Sequence, residues 1–239
     1  MTSALGRARE ILHGAQRVVA FSGAGVSAES GIPTYRTGSD ALWSAEKFER
    51  YANPRGYRAH LPDSYRWYRD RAAGVAQAQP NPAHLALVRL EDVVPELLVV
   101  TQNVDGLHVR AGSRNVIELH GHLREARCDD CDARIPWPAA PDAPQCSSCG
   151  GMLRPAVVMF EEMLPEDGLR AARAAARQCD VLLTIGTSAQ VWPAAELPLI
   201  AAGVGAWVIV VNPDLSGQPA GGRVIALQGR AGDVLPQLV

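Results

Sequence analysis

Residues 21–33 read FSGAGVSAESGIP and continue an apolar run, RVVAFSG, at 17–23. Gly23, Gly25 and Ala28 fit G-x-G-x-x-G/A, in which glycines let backbone N–H groups approach a pyrophosphate where a helix starts. The pattern is weak in isolation. It gains weight here because it follows a strand-like run. The acidic residue of an ordinary dinucleotide fold, expected ~20 positions later at a second strand end, is missing. Glu46 and Glu49 fall instead in a stretch that reads as helix. The loop therefore predicts a phosphate cradle, but not a dehydrogenase half.

Four further runs resemble the first: ELLVVTQN at 96–103, VLLTIGT at 181–187, AWVIVVN at 206–212 and RVIALQG at 223–229. Short, continuous apolar runs suit strands buried on both faces. Helix-like segments such as PAHLALVRLED (82–92) and EDGLRAARAAARQC (166–179) lie between them. The alternation predicts an α/β fold with a Rossmann-type, doubly wound parallel sheet, binding its ligand at the carboxyl ends of the strands. Two regions interrupt it. Residues 35–84 are helical, aromatic and rich in arginine, and residues 122–156 carry four cysteines and many prolines. We read 1–34, 85–121 and 157–239 as the nucleotide-binding domain, and 35–84 with 122–156 as a small helical and zinc-ribbon domain.

In that insertion Cys128, Cys131, Cys146 and Cys149 form two C-x2-C pairs. Four thiolates complete a tetrahedral zinc shell with no position left for water, so the metal is expected to be structural. Cys179 reads as a buried thiol. TQNVDGLH (101–108) offers Gln102, Asn103 and Asp105 at a strand end. His120, in IELHGHLREARC (117–128), is the natural general base, because imidazole titrates near neutral pH. His122 is its rival, and His108 is a third candidate, although its spacing suggests a surface turn. In SYRWYRDR (64–71), Tyr68 and Arg71 share one side of a helix. Read alone, that side is either a solvated face or a site for an anion.

The 239 residues carry a net charge of −2 and are 47% hydrophobic, which suits one core with a smaller annexe and gives no electrostatic case for nucleic acid. No apolar run reaches the ~18 residues of a membrane span. The first residues lack a signal core, so a cytoplasmic protein is expected, where disulfides are rare.

Taken together, the motifs resemble the sirtuins, the NAD-dependent protein-lysine deacylases. The matching stretches are GAGVSAESGIPTYR, TQNVDGLH, ELHG, the cysteine pairs, LRPAVVMFEEMLP, GTSAQVWPAAELP and VNPD, in order along nearly the whole chain. The resemblance implies a cleft between a Rossmann-type domain and a zinc-and-helix domain. It implies that Gly23, Ala24, Gly25, Glu29 and Arg36 hold the phosphates and ribose of NAD, and that Gln102, Asn103 and Asp105 form the nicotinamide side. It places Gly186, Thr187, Ser188, Asn212 and Ala231 at the adenosine half, and makes His120 the base. It further implies that NAD is consumed. The acyl oxygen attacks the nicotinamide ribose and nicotinamide leaves; His120 deprotonates a ribose hydroxyl, which attacks the resulting alkylimidate, and with addition of water free lysine and 2′-O-acyl-ADP-ribose result.

One class of sirtuins resembles YANPRGYRAHLPDSYRWYRDR (51–71), where Ala52 precedes the Tyr68–Arg71 pair. That likeness implies a widened acyl pocket whose tyrosine and arginine bind the carboxylate of succinyl- or malonyl-lysine. A guanidinium fork is suited to such a group. Thr37, Ala156, Met159 and Glu161 depart from residues common in the family and fall near the expected peptide contacts. A mono-ADP-ribosyltransferase on the same scaffold is the alternative. A zinc-ribbon nucleic-acid module, with Arg124, Arg127 and Arg134 beside the cysteines, is the third reading, and it lacks aromatic stacking partners.

Overall fold

A computed structural model describes residues 3–34, 45–137, 145–219 and 221–239. Helix α1 (Ala4–His13) leads into β1 (Arg17–Ser22), and three helices follow: α2 (Ala45–Tyr51), α3 (Pro54–Ala59) and α4 (Leu61–Gln77). Next come α5 (Pro82–Leu90), β2 (Glu96–Thr101), α6 (Leu107–Ala111) and β3 (Val116–Glu118). A second sheet is built from β4 (Gly121–Cys128), β5 (Arg134–Pro136) and β6 (Leu153–Val157). The chain then returns through α7 (Glu166–Gln178), β7 (Val181–Ile185), α8 (Leu197–Gly203), β8 (Trp207–Asn212), β9 (Val224–Gln228) and α9 (Ala231–Val234).

The main sheet has six parallel strands in the order β3-β2-β1-β7-β8-β9, as the apolar runs predict. Strand periodicity explains its two layers. Val18, Ala20, Val99, Leu183 and Ile209 face a core shared with Leu12 of α1 and Leu87 and Leu90 of α5. Their neighbours Val19, Phe21, Val100 and Leu182 face Ala172 and Ala176 of α7 and Leu197 of α8. Both faces are covered, which is why these strands tolerate no polar alternation.

The second sheet is antiparallel, in the order β5-β4-β6. Tyr57 of α3 and Tyr68 and Val75 of α4 pack with Leu123, Val157 and Met159, so the inserted helices and this sheet share a core. Two Asn-Pro pairs start helices here. Asn53 accepts from Gly56 N at 2.8 Å ahead of Pro54, and Asn81 accepts from Ala83 N at 2.9 Å ahead of Pro82. Each supplies a capping oxygen followed by a residue whose φ is already helical. Asn81 also donates to Val26 O at 2.8 Å and Ser30 Oγ at 3.0 Å, fixing α5 to the glycine loop. Among the described residues, no helix is long and apolar enough to cross a membrane.

Candidate active site

The carboxyl ends of β1, β2, β7 and β8 open into a cleft of about 1020 Å³. After β1, the glycine loop runs as two 3-10 turns, Ala24–Val26 and Ala28–Ser30, so no α-helix begins where the phosphate motif predicts one. The glycines answer a second demand. A Cβ on Gly23 would lie 2.7 Å from Thr187 Cβ, and one on Gly25 2.7 Å from Gly186 O. The loops after β1 and β7 interlock there, with Gly25 N donating to Gly186 O at 2.8 Å.

After β2, the polar residues point back into this junction. Asn103 Nδ2 donates to Gly23 O at 3.1 Å and Ser27 Oγ at 3.0 Å, while Ser27 Oγ donates to Asp105 Oδ2 at 2.9 Å. Burial raises the Asp105 carboxyl above its ordinary range, opposed by its bonds from Leu107 N and Ser27. Gln102 Nε2 donates to Thr187 Oγ1 at 3.0 Å, joining the β2 and β7 ends.

His120 follows β3. Its Nδ1 donates to Gln102 O at 2.8 Å, because a carbonyl can only accept. That bond leaves Nε2 as the lone-pair nitrogen. Burial holds the ring below the usual histidine pKa, with the Gln102 bond acting the other way. The ring is therefore neutral at pH 7 and able to accept a proton.

Gly23, Ala24, Gly25, Glu29, Gln102, Asn103, His120, Gly186, Thr187, Ser188 and Asn212 all line the cleft, and so do Ala52, Tyr68 and Arg71 from the inserted helices. Asp105 instead lines a small adjoining cavity with Arg71, behind Asn103. Ala231 is buried at the start of α9, next to Arg230, which does reach the cleft. Arg36 and Thr37 lie outside the described residues. Glu29 lines the cleft and also accepts from Gly232 N at 2.7 Å, anchoring the α9 turn. His122 does not line the cleft, and its Nε2 stands 3.6 Å from Glu125.

At the acyl end, Ala52 is buried and its carbonyl accepts from Phe160 N at 2.8 Å. Tyr68 OH donates to Tyr51 O at 3.1 Å, and the Arg71 guanidinium lies 5.5 Å from the Trp67 ring centre. Glu161 holds φ +73°, a left-handed conformation that glycine adopts without strain and that other residues rarely take. Met159 and Ala156 are buried.

Sequence reasoning missed several residues. Ser27 sits inside the glycine motif, Phe160, Trp192 and Asp214 lie in stretches that carry the resemblance but were given no role, and Phe48 and Arg230 complete the cleft wall without any spacing signal. His108 is a correction. It is 1% exposed rather than on a surface turn, and its Nε2 is 2.9 Å from Ser22 Oγ. Ser22, at the polar end of β1, supplies a partner that a turn reading leaves out.

The four predicted cysteines converge away from the cleft. Their sulfurs lie within 4.8 Å of one another, with separations of 3.5 Å (Cys128–Cys149), 3.7 Å (Cys131–Cys146) and 3.4 Å (Cys131–Cys149). A tetrahedron with Zn–S bonds of ~2.3 Å has sulfur–sulfur edges of about 3.8 Å. The donor set fits one zinc ion. Cys179 is a separate buried thiol whose pKa burial raises to about 11.

A family model described as Sir2 family matches residues 23–193. A Pyrococcus furiosus protein named NAD-dependent protein deacylase is 42% identical over 246 residues, covering 98% of this chain and 96% of its own. The structure of a mutant Sir2 homologue with ADP-ribose has a TM-score of 0.90 at 43% identity, covering 97% of this chain and 94% of the other. A Sir2–p53 peptide–NAD+ structure has a TM-score of 0.85 at 31% identity, covering 96% and 94%. The glycine loop, the residues after β2 and β3 and the β7 loop all fall within the matched span, and the chain belongs to the Sir2 family.

Proposed function

We propose that this chain is a cytoplasmic NAD-dependent protein-lysine deacylase that accepts acidic acyl groups, succinyl and malonyl, together with acetyl. The observation that carries the reading is His120 at the cleft, with Nδ1 committed to Gln102 O and Nε2 left as a proton acceptor. Its relatives' name and the bound states of the neighbouring structures support the same chemistry.

NAD, as co-substrate, supplies a glycosidic bond whose cleavage makes a ribose carbon electrophilic. The amides of Gly23, Gly25 and Gly186 are spent holding the two loops together, at Ile185 O, Gly186 O and Val211 O, so the interlocked loops serve as a rigid floor for its phosphates. Asn103 and Gln102 are held by their own hydrogen bonds, so the nicotinamide side is ordered in advance. His120 takes the proton of a ribose hydroxyl through Nε2. The acyl-lysine enters beside Ala52, where Arg71 is placed to pair with a distal carboxylate. The zinc site stays structural, because its shell is closed by Cys128, Cys131, Cys146 and Cys149.

The test is incubation with NAD and matched acetyl- and succinyl-lysine peptides, measuring nicotinamide release and the freed lysine. Release that needs an acyl-peptide supports the reading. ADP-ribose appearing on protein without deacylation favours the transferase alternative instead.

A further inference from the structure

Arg154 is a charged residue in an apolar strand, and it is 1% exposed. Its Nε donates to Asp129 Oδ1 at 2.6 Å and its Nη1 to Val157 O at 3.2 Å, while its Nη2 binds Glu162 Oε1. Glu162 uses its other oxygen to accept from Met159 N at 2.8 Å. Asp129 stands between two zinc-ligand cysteines and also accepts from Arg58 of α3 at 2.8 Å. One buried guanidinium therefore joins the cysteine knuckle to the segment 157–162.

That segment forms one wall of the cleft. Three consecutive N–H groups fix it: Val158 N to His120 O at 2.8 Å, Met159 N to Glu162, and Phe160 N to Ala52 O at 2.8 Å. Two of the three bonds go to backbone carbonyls of proposed site residues. The middle one is made by a side chain, and Arg154 holds that side chain. No atom of Arg154 lines the cleft.

We infer that Arg154 is a positioning residue for the acyl-peptide: acting through Glu162 and Val157, it fixes the segment 157–162 against which the substrate docks. The inference rests on the deacylase reading. Truncating Arg154 leaves Glu162 with Arg127, 3.5 Å away, and Asp129 with Arg58, and loosens the middle of the wall between its bonds to His120 O and Ala52 O. The nucleotide side, built on the β1, β2 and β7 ends, shares none of these bonds.

The experiment measures KM for an acetyl-lysine peptide, kcat, NAD affinity by direct titration, and bound zinc, in Arg154→Met, Arg154→Lys and Glu162→Gln. A glutamine has one carbonyl oxygen where Glu162 uses two acceptors, so Glu162→Gln tests the link even if Arg154→Met does not fold. We expect peptide KM to rise on the order of ten-fold in Arg154→Met and Glu162→Gln, the scale of a lost charged hydrogen bond. NAD affinity and one zinc per chain are retained, and Arg154→Lys recovers part of the loss. Folded variants with unchanged peptide KM overturn the inference, as does NAD affinity falling in step with it. A wild-type protein that deacylates no peptide overturns the function reading and this inference together.

Discussion

Gly25 and Gly186 meet backbone to backbone: the amide of one donates to the carbonyl of the other at 2.8 Å, and neither has room for a side chain. A Cβ on Gly186, which holds φ +56°, would fall 2.5 Å from Val26 N. Gly186→Ala should cost about 1–3 kcal/mol from the left-handed backbone alone, with the clash added. Both Gly186→Ala and Gly25→Ala should weaken NAD binding, because the loops must separate. Thermal denaturation and NAD titration check this; wild-type values for both would contradict it.

His120→Ala should lower turnover by at least ~10²-fold, the scale of a lost general base, while NAD still binds. His122→Ala should stay near wild type, since that ring does not line the cleft. Protonation removes the lone pair on Nε2, and burial sets the His120 pKa below the ordinary value. Activity should therefore stay level as pH falls to about 6.5 and decline only below it. A pH–rate profile falling already from pH 8 to 7 would count against this assignment.

Arg71→Met keeps a long side chain without its charge. A distal carboxylate would then enter the cleft without its cation, a loss of about 2–5 kcal/mol, or roughly 30- to several-thousand-fold in kcat/KM. Acetyl-lysine carries no such group, and its turnover should hardly change. Tyr68→Phe should do less, because one neutral hydroxyl is lost and that hydroxyl already donates to Tyr51 O. The deciding quantity is the succinyl-to-acetyl ratio in wild type and Arg71→Met.

Cys146→Ser should release zinc and melt the β4–β6 sheet. The zinc end of that sheet packs on a small cluster of Ala126, Cys128, Cys146 and Leu153, and structural zinc in small peptides contributes ~10–16 kcal/mol of apparent binding energy. Metal analysis of active wild type should find one zinc per chain. An active, zinc-free protein would refute the site.

His84 and His108 pack with tilted rings, their centres 4.8 Å apart, and both are fully buried. Burial lowers their pKa values to about 4 and about 3. Unfolded histidines titrate near ~6.5, so below that pH the unfolded chain takes up protons that the folded chain refuses. Stability should be fully present above pH 6.5 and should fall progressively as pH drops from there toward 4. Asp105, raised by burial, acts in the opposite direction. Melting temperatures from pH 8 to 5 test this, and a flat profile over pH 6.5–5 would contradict it.

The central strands were legible because burial on both faces leaves a plain apolar signature, and every run such as VLLTIGT became a sheet strand, the edge run RVIALQG with alternate residues exposed. The zinc ligands were legible from spacing alone. Arg154 was not. A charged residue within LRPAVV reads as facing solvent, and the partners that bury it lie 25 residues before it and 8 after. His108 failed for the same reason, since its partner Ser22 is 86 residues away. Local pattern reports periodicity and turn chemistry. It carries no information on which distant polar group will satisfy a buried one.

The register of the central strands has a consequence for synthesis. Val18 pairs with Val181, so β1, made well before β7, gains that neighbour only after the helical insertion and the cysteine knuckle have been translated. Until then one edge of an apolar strand stands unpaired, a surface prone to association. Such long-range pairing folds slowly. The nascent chain should therefore depend on chaperones until β7 emerges, and ribosome-stalled chains ending before and after residue 185 should differ sharply in chaperone capture.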